Sequence, residues 1–411
     1  MFTTFYPPYH FGGDALYVYR LSEALAAGGH AVDVVHSVDA YRLQHVADPE
    51  LPFEHHANVT LHPLESTHRT MAALAAHQLG RPAFYGRRLR AILKSGRYDV
   101  VHFHNASLLG APGVLALGDA VKLYTAHEYW LICPTHVLFR FDREACTERR
   151  CLECTLRYRR PPQAWRYTGA LARGLGNVDC ILMPSRFALE QHRAQGIQRP
   201  MQHLPCIIPA PAEDAPAGAP LPERPYFVYV GRLEKLKGVQ DLLRLFREYR
   251  EADLLVLGSG GYENTLREQA RGLDHVHFLG QVHPEALGRY YRGAVAALVP
   301  SLCYETFGLT AAEAMSYGTP AIVRRIGALA ENLEQSGGGL TFTTLDECRA
   351  ALEALRTQPA LRERLGRSGR DAVRRLWSTD VHLAQYLQLV RSLLDRRAEA
   401  PAAAGAVAAH A

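Results

Sequence analysis

The residues best suited to chemistry in this 411-residue chain lie in one string, Pro300-Ser-Leu-Cys-Tyr-Glu305-Thr-Phe-Gly-Leu-Thr-Ala-Ala-Glu313-Ala-Met-Ser-Tyr-Gly-Thr-Pro320. A strand-like apolar run, Ala296–Val299, precedes it, and a helical pattern over Thr310–Tyr317 lies inside it. That order places Thr306, Phe307, Gly308, Leu309 and Thr310 at a helix amino terminus. Unpaired backbone amides and the positive end of the helix dipole gather there, which suits a diphosphate. Gly308 lets the backbone come close to an anion. Glu305 precedes the helix and Glu313 lies two turns into it, roughly 12 Å away at helical rise. Carboxylates repel phosphate, so the pair is better placed to accept hydrogen bonds from hydroxyls on either side of it, one on a sugar and one on a ribose. The plainer alternative is a capping carboxylate followed by a solvated helix glutamate. The full string argues against that alternative; two isolated glutamates would not.

Cations stand nearby in the fold order. Tyr229-Val-Gly231-Arg232-Leu-Glu-Lys-Leu-Lys237-Gly238 follows a strand directly, so the turn delivers Arg232 and Lys237 to the carboxyl edge of a sheet. A guanidinium fork and an ammonium can together neutralise a departing diphosphate. Surface charge at a helix start is the competing reading. Tyr6-Pro-Pro-Tyr-His-Phe-Gly12-Gly13-Asp14 opens a helix with two glycines, offering amides to an anion; alone it is a plain turn. His127 and Glu128 close a strand in Tyr124-Thr-Ala-His127-Glu128-Tyr-Trp, and Gly258 sits in a short Gly-rich turn, Leu257-Gly258-Ser-Gly260-Gly261. The sequence contains no D-x-D pair to cradle a divalent ion, so cations and helix amides would carry the diphosphate charge.

Glu305-Thr-Phe-Gly-Leu-(x)3-Glu313 resembles the E-x7-E motif of the retaining GT-B glycosyltransferases (glycosyltransferase family 4-like, glycosyl transferases group 1). The likeness extends over nearly the whole chain and is most specific in the second half. It implies an α/β GT-B fold, two Rossmann-like domains with parallel sheets facing across a cleft. It implies a nucleotide-diphosphate sugar as donor, a glycan or lipid-linked acceptor, no catalytic metal, and retention of anomeric configuration. Under it Arg232 and Lys237 grip the diphosphate, and His127 reaches the donor sugar. Gly12 and Gly13 floor the cleft, while Gly258 shapes the nucleotide pocket and residues 280–282 meet the base. Glu331 falls where the family reads Gly-Gly-x-x-Glu, with Ala328 in place of the second glycine. A glycan phosphorylase or sugar-nucleotide epimerase is the rival enzyme class. A non-catalytic nucleotide-sugar-binding scaffold is the rival from outside enzymology.

The elements that must position these residues alternate from end to end. Strand-like runs read as Ala31–His36, Asp99–Phe103, Val121–Thr125, Cys180–Met183 and Met201–Leu204, then Tyr226–Val230, Leu254–Leu257, Val276–Leu279, Ala296–Val299 and Ala321–Val323. Amphipathic helices between them are the pattern of parallel α/β sheets. The Pro/Ala-rich stretch 209–221 reads as a linker between a domain over 1–208 and one over 222–380. A helix over 381–397 is expected to pack back on the first domain, with a loose Ala-rich tail at 398–411. Only Met1–Phe5 precede Tyr6-Pro-Pro where a first strand belongs. A very short strand or an upstream start would each explain it, and the upstream start is the favoured reading.

Composition adds limits. The chain is 48% hydrophobic and 21% charged with a formal charge of +5, which is ordinary globular balance and does not require nucleic acid as a partner. There is no signal-like start and no apolar run long enough to span a membrane, so the cytoplasm is the expected compartment, and its membrane face an option. Half of the eight cysteines fall between Cys133 and Cys154, in an insertion over 128–167. Cys133, Cys146, Cys151 and Cys154 fit either a structural zinc site or four separate small apolar residues. The same insertion mixes Arg149, Arg150, Arg157, Arg159, Arg160 and Arg166 with Tyr158, Trp165 and Tyr167. That mixture fits a solvated face or a contact with anionic lipid headgroups.

Overall fold

The structure is a computed structural model that describes residues 1–43, 49, 53–212 and 220–408, with backbone alone for 69–70 and 400–408. The middle of the expected linker, 213–219, lies outside the described residues.

The first half contains β1 (Val32–Ser37), β2 (Val59–Leu64), β3 (Val100–Phe103), β4 (Val121–Thr125), β5 (Cys180–Met183) and β6 (Met201–His203). β4 and β5 are buried along their whole length, which is why they read as unbroken apolar runs. Phe2 makes parallel bridges to Val35 and to Phe103, so the opening residues lie as a short strand between β1 and β3. Its amide donates to His102 O and its carbonyl accepts from the His104 amide, both at 2.8 Å. The order across this sheet is therefore β2, β1, the Phe2 segment, β3, β4, β5, β6.

The second half repeats the plan with β7 (Tyr226–Val230), β8 (Asp253–Leu257), β9 (Val276–Gly280), β10 (Ala297–Val299), β11 (Ala321–Arg324) and β12 (Gly339–Phe342), in the order β9-β8-β7-β10-β11-β12 and parallel throughout. In both halves the sheet grows one way for three strands and then resumes on the other side of the first. This is the doubly wound order, and its crevice opens at the carboxyl ends of the strands flanking the reversal. The two-domain parallel α/β architecture expected from the sequence is the one found. The small strands Phe139–Arg140 and Glu144–Ala145 form a separate antiparallel hairpin in the insertion.

The helices that matter for the site are α1 (Gly13–Ala27), α2 (Arg69–Leu79), α3 (Gly86–Ser95), α4 (Cys151–Arg157), α5 (Arg186–Ala194), α6 (Leu309–Ser316), α7 (Gly327–Ser336) and α8 (Thr379–Ala408). α8 starts where the chain returns to the first half. Ile208 bridges Ser378, and its amide donates to Trp377 O at 2.8 Å. Farther along α8, Tyr386 OH bonds His102 Nδ1 at 3.2 Å and His382 Nδ1 bonds Pro205 O at 2.7 Å. One apolar cluster joins both halves, with Leu21 and Val34 on one side and Phe307, Met315 and Trp377 on the other. Phe307 meets Trp377 edge to face at 5.3 Å, and both are buried. Full burial of side chains this large contributes about 2–3 kcal/mol each, so α6 is fixed in place from below.

Candidate functional site

The crevices of the two halves face one another. After β7 the chain makes the turn carrying Arg232 and Lys237; after β10 it runs through Ser301 to Glu305 and into α6. These two strands are neighbours, so residues some 70 positions apart come into contact. Lys237 Nζ lies 2.7 Å from Glu305 Oε1, and Ser301 Oγ donates to the same oxygen at 2.7 Å. Gly238 cannot carry a side chain here: its φ is 78° and an added Cβ would run into Pro300 O. Gly258, at φ 132°, packs its bare Cα against Gly231 O in the same way. These glycines let the two turns close on each other.

α6 begins at Leu309 with Gly308 as its left-handed N-cap, φ 91°. Leu309 and Thr310 therefore present their amides at the crevice, while the Ala311 amide donates to Gly308 O at 3.1 Å. Thr310 Oγ1 donates to Val230 O at 3.2 Å, tying the helix start to the end of β7. The first half brings a second helix start to the same place. α1 begins at Gly13 behind Gly12, whose φ is 80°, and a Cβ on Gly13 would strike Leu309 Cδ1. Two helix amino termini thus abut, and their dipoles add to the charge of Arg232 and Lys237.

Two direct bonds hold the halves together around this point. Thr306 Oγ1 donates to His127 O at 2.8 Å, and Tyr129 OH donates to Glu305 O at 3.2 Å. His127 Nε2 lies 3.0 Å from His104 Nδ1, and the ring packs edge-on to Tyr17 at 4.7 Å. Burial pushes His127 down to about 3, against the pull of Glu128, and holds His104 far below its ordinary range. Both rings are neutral at physiological pH, so one donates and the other accepts.

The charges are arranged as a cluster. Burial works against the Glu305 carboxylate, but Lys237 and the Ser301 hydroxyl outweigh it and hold the group below the usual carboxylate range. Burial likewise opposes the Lys237 cation, and Glu305 more than restores it. Arg232 pairs with Glu234 at 2.9 Å and feels Asp14, Glu305 and Glu128. Burial, then the Glu128 charge, lift the Asp14 carboxyl, while Glu128 itself pairs with His136 Nδ1 at 2.8 Å.

Two family descriptions match the chain. "Glycosyltransferase Family 4" covers residues 11–210 and "Glycosyl transferases group 1" covers residues 212–372. The chain belongs to these glycosyltransferases. It is 27% identical over 388 residues to the D-inositol 3-phosphate glycosyltransferase of Thermomonospora curvata, an alignment covering 86% of this chain and 84% of that one. The first curated relatives it matches are spanned over only 30–36% of their own length. Sucrose-phosphate synthase from Thermosynechococcus elongatus superposes with a TM-score of 0.72 at 24% identity, over 94% of each chain. Anabaena HepE, solved with UDP and glucose, does so with a TM-score of 0.65 at 12% identity, over 95% of this chain and 99% of that one. Both likenesses are in fold: GT-B.

Within this glycosyltransferase frame the structure gathers Arg232, Lys237, Glu305, Thr306, Gly308, Leu309, Thr310, Gly12, Gly13 and His127 at one cleft. Phe307 faces the core instead and offers only its backbone. Glu313 lies farther along α6, and its Oε1 is taken by Arg20 Nη2 of α1 at 2.8 Å. Glu331, which falls where the family pattern reads Gly-Gly-x-x-Glu, is engaged across the halves. Its carboxylate caps α5 of the other half, accepting from the Arg186 and Phe187 amides at 2.9 and 2.8 Å. Arg20, His104, Ser301 and Tyr129 were not anticipated. A cation on the buried face of an N-terminal helix was the only available signal, and only for Arg20.

Cys133, Cys146, Cys151 and Cys154 share the insertion, where burial raises the thiols of Cys146, Cys151 and Cys154. Among the described residues no three metal-ligating side chains stand close enough to hold an ion. The sulfurs are engaged separately instead: Cys133 with Thr135 Oγ1 at 3.2 Å, Cys154 with the Phe141 amide at 3.4 Å, Cys146 with Glu148 O at 3.5 Å. Cys133 and Cys154 are buried, and Cys146 and Cys151 are partly buried.

Proposed function

We propose that this chain transfers a sugar from a nucleoside-diphosphate donor to a hydroxyl of a glycan or lipid-linked acceptor, with retention at the anomeric carbon. The observation that carries the reading is the meeting of two helix amino termini with Arg232 and Lys237, beside a Glu305 carboxylate kept ionised by its 2.7 Å partner. Such a site binds a diphosphate between cations and amides and leaves carboxylate and imidazole groups for hydroxyls. The donor sugar would lie between Glu305 and the neutral His127, and the ribose toward Glu313 once Arg20 releases it.

Chemistry then needs little from a protein base. The acceptor oxygen bonds to the anomeric carbon on the face the diphosphate leaves, and the departing diphosphate oxygen takes the acceptor proton. Lys237, Arg232 and the α6 amides stabilise the charge that grows on the leaving group, the term that dominates when donors are preorganised. The site carries the diphosphate without a D-x-D pair, so we take the reaction to proceed without a catalytic metal. We place the chain in the cytoplasm, with its acceptor side able to meet the inner face of a membrane.

The test is a thermal-shift screen of nucleotide sugars on the full chain, followed by release of nucleoside diphosphate with and without acceptors, and NMR of the product anomer. Turnover that disappears in Glu305→Ala supports the reading. Absence of turnover with every donor favours a nucleotide-sugar-binding scaffold, and an inverted product overturns the stereochemical part.

A further inference from the structure

We propose that the face formed by α2, the loop into α3, α3 itself and residues 152–167 docks on an anionic lipid bilayer. This deepens the transferase reading by giving the acceptor a location, and the contact itself rests on the residues of this surface.

Large apolar side chains are exposed in two stretches. Met71, Leu74, Leu79 and Phe84 stand out on one, Leu152, Leu156 and Tyr167 on the other, and Tyr167 is 65% exposed. The two stretches are stapled together. Trp165 Nε1 and Gln163 Nε2 both donate to His77 O, at 3.0 and 3.2 Å, and Gln78 Nε2 donates to Pro161 O at 3.5 Å. Trp165 is buried beneath the joint, and Gly80 packs against it with no room for a side chain. The apolar residues are therefore presented by a fixed support.

Charge selects the partner. No aspartate or glutamate occurs between Glu65 and Asp99, and the one carboxylate within residues 152–167 is Glu153, 3.9 Å from Arg150. Arg81, Arg87, Arg88, Arg90, Lys94 and Arg97 are all exposed along the first stretch. Exposed Arg157, Arg159 and Arg160 continue the field on the second. A second copy meeting this face would bring like charges together and is disfavoured. Nucleic acid would use the cations but gain nothing from Met71, Leu79 and Phe84 pointing outward. A bilayer with anionic headgroups uses both, taking the apolar tips below the phosphates and the arginines among them. No helix among the described residues is long and apolar enough to cross a membrane, so the contact is peripheral.

The structure also redraws the patch expected from sequence. Arg166 is turned inward over Trp165 and Trp130, at 4.7 and 5.1 Å from the ring centres, and Arg149 is bonded to Gln195 O. The missing part of the surface comes from α2 and α3, far away in sequence. The insertion that carries the second stretch starts at Glu128, directly after His127 on the cleft wall.

The experiment is co-sedimentation of the full chain with phosphatidylcholine vesicles and with vesicles of phosphatidylcholine and phosphatidylglycerol, no donor present. The chain is expected to pellet with the anionic vesicles only, and to be released by salt. Each cation removed from the face should weaken binding about fivefold, so Arg87→Glu with Arg88→Glu should abolish it. Leu79→Ser with Phe84→Ser should lower it at least tenfold. Arg364→Glu, exposed in the other half, should leave it unchanged. No sedimentation, or sedimentation insensitive to both double variants, overturns the proposal. So does a dimer in light scattering that the Leu79/Phe84 variant dissolves. Donor-induced thermal shifts measured on the same variants report separately on the transferase reading: vesicle binding without any donor effect would leave this surface standing and remove the enzyme.

Discussion

Replacing Lys237 by methionine tests the central pairing most directly. The ammonium and the Glu305 carboxylate stand 2.7 Å apart with 19% and 20% of their side chains exposed. Removing one member of a buried pair costs 3–5 kcal/mol, and the residual exposure puts this case near about 3 kcal/mol. The cost has a pH signature. In the wild type the Glu305 carboxyl is held below its ordinary value of 4.5. Its stabilising contribution is present above the unfolded pKa and is lost as pH falls through the folded one. In Lys237→Met burial dominates and the folded pKa rises above that of the unfolded chain, so the variant regains stability on acidification while the wild type loses it. Adding Glu305→Gln to Lys237→Met should return about half of the loss, since no uncompensated charge is left inside. Nucleoside-diphosphate release should fall by about two to three powers of ten in Lys237→Met. Urea unfolding of the wild type, the single variants and the double variant, together with a coupled diphosphate assay, measures all of this. A Lys237→Met protein with the wild-type midpoint, or one not relieved by Glu305→Gln, would refute the assigned pairing.

Other expectations follow from the same geometry. His127 is depressed to about 3 and His382 to about 4, both by burial, so the unfolded chain takes up protons that the folded one refuses. Stability should be full above the unfolded value of 6.5 and fall below it by about 1.4 kcal/mol per pH unit for each such histidine, read from urea midpoints. His104→Phe should reduce kcat/KM about tenfold without changing the unfolding free energy from urea titration by more than about 1 kcal/mol, because His127 loses its orienting bond, and His104→Asn should restore part of the rate. Gly13→Val forces a side chain into Leu309 and should abolish donor-induced thermal stabilisation in a protein that still folds. Glu331→Gln should weaken the cap on α5 and cost about 1 kcal/mol in unfolding.

What the sequence revealed followed burial. Val121–Thr125, Cys180–Met183 and Tyr226–Val230 were bounded to the residue because strands covered on both faces are written as continuous apolar runs. β2 and β12 escaped because they are edge strands with half-exposed, mixed sequences, and β2 contains Pro63. The opening strand was legible only as a deficit; its pairing through Phe2 needed both neighbours in view. The site divided along the same line. Arg232, Lys237, Glu305 and the α6 turn sit beside the strands that present them, so local order sufficed. Arg20 and His104 act across gaps of many residues: nothing in the spacing around His104 separates it from a core position, and Arg20 offered only a cation on the buried face of its helix; the Gly-Gly-x-x-Glu position of Glu331 said nothing of its cap on α5. The cysteines show the converse: close spacing in sequence does not gather the sulfurs into a group able to hold an ion among the described residues.

The return of the chain to its first half has a mechanical consequence. The polypeptide passes between the halves twice, once after Ile208 and once before Thr379, and the two crossings lie side by side because Ile208 is bridged to Ser378. A single tether would let the halves swivel and slide; two strands clasped at one spot act as a door hinge with a fixed pin. Whatever prises Arg20 from Glu313 or Thr306 from His127 must swing the cleft about that pin, so the mouth gapes widest at the rim opposite it and the Trp377 end hardly moves.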